Sequence, residues 1–128
     1  FSVTQEIIRK SGIVNFEIVN YNKSVEETWN GISECSAMIS SRLHASIFAC
    51  FSNVPFFLIE YHRKCADFLN DVGQFSDYII GDGVANPMDI GNTILDVVNN
   101  KDIYIAPKFK NEMIEKSRLN FTGVNFQL

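Results

Sequence analysis

Apolar positions along this chain fall in short blocks whose spacing alternates between helical and strand-like. Val3, Ile7 and Ile8 recur at helical spacing, and Ser11-Gly12 supplies a stop, so a first helix is predicted over 1–11. Ile13 to Val19 is rich in β-branched residues and predicts a strand. After a polar loop from Asn20 to Lys23, Ser24 has the chemistry of a helix N-cap. Glu26 and Glu27 follow in the first turn of a helix expected to run to Glu34. Cys35 to Ser40 predicts a second strand and Ala45 to Phe51 a helix. Val54-Pro55 opens a third strand, Phe56 to Ile59, and Tyr61 to Leu69 returns as a helix ended by Gly73. Tyr78 to Ile80 predicts a short fourth strand, stopped by Gly81-Asp82-Gly83. Asp89 to Val98 and Lys108 to Leu119 are predicted helices, the second after a turn at Pro107.

Strands and helices that alternate at short intervals argue for an α/β fold, a parallel sheet with helices on both faces. The strands are continuous apolar runs, as expected of strands buried on both sides. No internal repeat and no low-complexity segment interrupts the order, so residues 1–128 read as one domain.

Composition changes this picture little. A length of 128 residues suffices for a core. Apolar residues at 46% and charged ones at 20% are ordinary for a globular domain. The net charge of −4 excludes a surface that attracts nucleic acid as a whole, so any anion site must be built locally. Cys35, Cys50 and Cys65 lie in or beside apolar segments, with no two at metal-knuckle spacing. They read as reduced core thiols of a cytosolic protein. No His, Cys, Asp or Glu cluster has metal spacing, no run approaches the ~20 apolar residues of a membrane span, and no signal peptide is visible. The first residue is Phe1 and the first residues already look helical, so the chain is expected to be a fragment of a longer one.

Candidate chemistry concentrates where strands end. Arg42 and His44 stand two apart in Ser40-Ser41-Arg42-Leu43-His44, between a strand end and a helix start. That is where an open α/β sheet collects anionic ligands. An arginine there presents a planar fork to a carboxylate or phosphate, although it opposes the helix dipole unless an anion joins it. A histidine there moves protons near neutral pH. Ser40 and Ser41 are candidates for capping the helix, for binding a phosphate, or for both. Glu60-Tyr61-His62-Arg63-Lys64 lies at the end of the next strand. In a parallel sheet it would open on the same edge, with Lys64 a further point charge, although solvated charges at a helix start are an equal alternative. Gly81-Asp82-Gly83 reads as a turn; it lacks the spacing of a dinucleotide fingerprint, and the chain has no P-loop. Phe48, Phe51, Phe56 and Phe57 read as core residues.

Arg42-Leu43-His44, Ala49, Val54-Pro55, Tyr61, Lys64, Phe68 and Gly73 together form one pattern. It resembles the C-terminal domain of the polysaccharide pyruvyl transferase family, in which R-L-H precedes a helix, a V-P-x strand follows, and Y-x-x-K opens the next helix. The likeness is good over some forty residues and elsewhere rests on element order. One departure is His62, where the family commonly has an aspartate; His62 and Glu60 are given no role. The resemblance implies a Rossmann-like half of a two-domain enzyme of the glycosyltransferase-B type, the N-terminal half lying outside this chain. It implies transfer of a pyruvyl group, as a ketal, from phosphoenolpyruvate to a sugar or lipid-linked saccharide of a cell-surface polysaccharide precursor. Arg42 would anchor the donor and His44 would act as general acid/base. Ser40, Ser41, Leu43, Tyr61 and Lys64 would add binding contacts, with phosphoenolpyruvate as substrate and no metal or cofactor. The enzyme would be cytoplasmic, or peripheral at the inner membrane face. The isolated fragment is expected to be inactive.

Two rivals stand beside this reading. A nucleotide-sugar glycosyltransferase of the same fold also binds phosphates at strand ends, but often through a glutamate-rich ribose loop, for which Glu60 is the lone candidate. A non-catalytic α/β module that senses an anion or makes a protein contact is the other.

Overall fold

A computed structural model describes residues 2–20, 24–81, 86–120 and 122. Among them, three short parallel strands form one sheet: β1 (Met38–Ser40), β2 (Phe56–Ile59) and β3 (Ile79–Ile80), in the order β1-β2-β3. Met38 stands opposite Phe56 and Ser40 opposite Leu58, while Leu58 and Ile59 stand opposite Ile79 and Ile80. Helix α3 (Leu43–Phe51) joins β1 to β2, and α4 (Arg63–Val72) follows β2.

A sheet that grows in one direction through right-handed crossovers places successive helices on one face. The core divides accordingly. Phe56 and Leu58, two apart on β2, pack with Ala49 and Cys50 of α3, with Cys65, Leu69 and Val72 of α4, and with Ile32 of α2 (Val25–Ser33). The intervening Phe57 turns to the other face, where it meets Tyr78 and Val97 of α5 (Pro87–Asn99). Helices thus cover both faces, as the alternation predicts. Cover on the second face is incomplete, since Ile39 and Ile59 near the strand ends are exposed.

The helix ends follow local chemistry. In α1 (Val3–Ser11), Ser2 and Gln5 form a reciprocal capping box, and Gly12 closes the helix in the left-handed region. Ser24 caps α2 through the N–H of Glu27. Gly73 ends α4 at φ 67°, and the carbonyls of Val72 and Gly73 accept from Phe109 and Lys108, tying the start of α6 (Lys110–Leu119) to the end of α4. Trp29 of α2 stacks on Phe48 of α3 with ring centroids 4.4 Å apart and donates to Ser52 at 2.8 Å.

Several expectations are corrected. Residues 13–19 form no strand; they run irregularly and exposed. A β-branched composition expresses fit to a pleated, half-buried surface, and residues 13–19 pair with no strand among the described residues, the outer edge of β1 included. The fourth strand shrinks to Ile79-Ile80, because Ser76–Tyr78 is a 3-10 turn that buries Tyr78 between Phe57 and Tyr104. Helix α3 starts at Leu43 rather than Ala45, and α4 at Arg63 rather than Tyr61. Asp82 and Gly83 of the glycine turn lie outside the described residues.

Candidate functional site

The C-terminal ends of β1 and β2 are neighbours, so the chain leaving each one meets the other. There Arg42, Leu43, His44, Tyr61, His62, Lys64 and Cys65 line an open depression of about 280 Å³. The juxtaposition of Arg42-His44 with Tyr61-Lys64, expected from parallel strands, is what the structure shows.

Each side chain is placed by a specific local device. Arg42 is the N-cap of α3 in extended conformation, and its side chain makes no capping bond. Ser40 fixes this turn: its hydroxyl accepts from the Arg42 N–H at 2.8 Å and donates to the Arg42 carbonyl at 2.9 Å. Ser40 is buried and does not cap α3, contrary to one expectation, because the helix begins beyond its reach. Ser41 is exposed and lies outside the first depression; it lines a second one with Arg42, Ile59 and Tyr61. Leu43 is half-buried against the core and His44 is exposed in the first turn. His62 is the N-cap of α4, and its Nδ1 accepts from the Lys64 N–H at 3.2 Å. A neutral imidazole that accepts at Nδ1 carries its proton on Nε2. Glu60 lines neither depression; its N–H donates to Ile80 at 2.7 Å.

The charge pattern is unusual in one respect. Helices α1, α2, α5 and α6 each carry an acidic residue in the first turn, as the helix dipole favours. Helices α3 and α4 carry none. They open instead on Arg42, His44, His62 and Lys64, and among the described residues no carboxylate lines the depression. Among the described residues neither Arg42 nor Lys64 forms an ion pair. The first-turn N–H groups of α3 have no intrahelical acceptor and no side-chain cap. The uncapped start of α3 and the Arg42 and Lys64 side chains therefore bring donors and positive charge to the same depression.

Residues 3–63 match the polysaccharide pyruvyl transferase family. The matched segment contains Arg42-Leu43-His44, Val54-Pro55 and Tyr61 and stops just before Lys64. The resemblance read from the sequence is borne out over this segment. No curated protein and no solved structure gives a match.

Sequence reasoning missed three features. His62 caps α4, a role that its residue type does not advertise. Cys65, almost fully buried, forms part of the floor of the depression. Ile59 borders the second depression; the signal was available, since it is the strand-end residue that points away from the main core. Among the described residues no group of three or more His, Cys, Asp or Glu is placed to hold a metal ion, and no helix is long and apolar enough to cross a membrane.

Proposed function

We propose that this chain is the donor-binding, C-terminal half of a polysaccharide pyruvyl transferase. The enzyme would move pyruvate from phosphoenolpyruvate onto two hydroxyls of a saccharide as a cyclic ketal. The observation that carries the reading is the replacement of first-turn acids by Arg42, His44, His62 and Lys64 at two adjoining helix starts. Phosphoenolpyruvate bears two anionic groups. Arg42 offers a two-pronged donor to one of them. The open N–H groups of α3 and the Lys64 ammonium receive the other.

The chemistry balances with one mobile base. A first sugar hydroxyl adds to C2 of the donor as the methylene carbon, C3, gains a proton and becomes a methyl group. His44 takes the proton from the hydroxyl and returns it to C3. The C2–O bond to phosphate then breaks, the second hydroxyl adds to C2, and its proton leaves with the phosphate. A positioned acid/base of this kind contributes on the order of 10²–10⁴-fold.

Isothermal titration of the chain with phosphoenolpyruvate, inorganic phosphate and a uridine diphosphate sugar tests the reading. Phosphoenolpyruvate is expected to bind, with affinity falling roughly 10- to 100-fold in Arg42→Ala. Preference for the nucleotide sugar, or binding indifferent to Arg42, would refute it. In the complete enzyme, His44→Gln is expected to lower turnover while leaving donor affinity intact.

A further inference from the structure

The second depression shares Arg42 and Tyr61 with the first, and otherwise differs from it in kind. Its remaining lining is Ser41 and Ile59, and its volume is about 390 Å³. That falls within the ~300–1,000 Å³ range of small-molecule sites. Among the described residues, Arg42 is the one charged group that lines it. Tyr61 is 61% exposed and lines both depressions. The Ser41 hydroxyl has no hydrogen-bond partner among the described residues. Ile59 is 36% exposed at the end of β2, where cover of the second face is incomplete.

An aromatic ring, an aliphatic side chain and a hydroxyl beside the Arg42 guanidinium suit a pyranose. The C–H bonds of a sugar face carry slight positive charge and lie well against the negative face of a tyrosine ring. Sugar hydroxyls exchange hydrogen bonds with serine and accept them from arginine. We infer that the hollow bounded by Ser41, Arg42, Ile59 and Tyr61 is the subsite for a neutral hexose unit of the acceptor. This rests on the donor reading given above. Ketal formation needs two acceptor hydroxyls beside C2 of the donor, and hollows that share the Arg42–Tyr61 ridge supply that adjacency. Arg42 then faces both substrates.

Saturation-transfer NMR on the chain, with methyl glucoside, methyl galactoside and methyl mannoside as probes, tests the subsite. Ring protons of at least one glycoside are expected to receive saturation. The effect should fall roughly tenfold in Tyr61→Ala and persist in Tyr61→Phe. It should also fall in Ile59→Ser, a residue that does not line the donor depression, while titration with phosphoenolpyruvate on that variant stays unchanged. Inorganic phosphate should not displace the glycoside. Absence of transfer from all three probes while phosphoenolpyruvate binds would overturn the subsite and leave the donor reading standing. Transfer that survives both Tyr61→Ala and Ile59→Ser would overturn it too, by placing the sugar elsewhere. Loss of phosphoenolpyruvate binding with glycoside transfer retained at Tyr61 and Ile59 would support the subsite and refute the donor reading.

Discussion

At the scale of single residues, His62 has two faces: one nitrogen is tied to the start of α4, and the ring borders the depression. Removing the cap in His62→Ala should cost about 1 kcal/mol of stability. His62→Asn, which keeps an acceptor, should recover most of it in urea denaturation. Equal midpoints for wild type and His62→Ala would show that the ring does not stabilise α4. Two buried protons bear on stability at alkaline pH. Burial pushes the Cys50 thiol from 9.0 up to about 11, against the lowering pull of Lys110. Burial likewise raises the Tyr104 hydroxyl from 10.0 to about 12, although bonds to Gln74 and to the Phe56 backbone favour its ionised form. Both groups hold their protons longer when folded than when unfolded. Their contribution is complete below pH 9, declines as pH rises towards 11 and 12, and is lost above. Denaturation midpoints should therefore fall between pH 9 and 11, and the fall should be shallower in Cys50→Ala. A pH-independent midpoint over that window would contradict the assignment.

At the scale of elements, α2 is held by Trp29, which stacks on Phe48 and bonds Ser52. Trp29→Ala is expected to lose about 2 kcal/mol, below the cost for a fully buried tryptophan because this one is 37% exposed. Trp29 is the single tryptophan of the chain, so its fluorescence reports the α2–α3 contact. Gly73 is constrained twice over: φ is 67°, and an added Cβ would stand 2.6 Å from Cδ2 of Phe109. Gly73→Ala should destabilise by about 2 kcal/mol, and a wild-type melting temperature would count against both constraints. Elements with long apolar blocks were legible in the sequence. Strand β2 falls at Phe56–Ile59 as expected, and each expected helix forms within a few residues of its place. The failures have local causes. Residues 13–19 carry strand propensity but pair with no strand among the described residues. Ser40 and Ser41 are better caps by type than Arg42, yet Ser40 is engaged by the backbone of Arg42 itself. The first depression was legible because parallel strands must end together; the second depression was not, because it depends on which face α5 leaves open.

For the molecule as a whole, stability is unevenly distributed. Phe56, Phe57 and Leu58 are fully buried on the central strand. Residues 14–20 make no hydrogen bond among the described residues, and Ile13, Val14, Phe16, Ile18 and Val19 are all exposed. Hydrogen exchange should thus be slowest at β2 and unprotected over 14–20. Protection of 14–20 comparable to β2 would mean that this segment pairs in solution. The Ser40 clamp on Arg42 has a kinetic corollary. Because the backbone beneath the guanidinium is tied on both its N–H and its carbonyl, capture of an anion orders a side chain and moves no loop. Association should then be governed by encounter alone and slowed by added salt. Ser40→Ala, by untying that backbone, should make recognition wait for the arginine to find its pose.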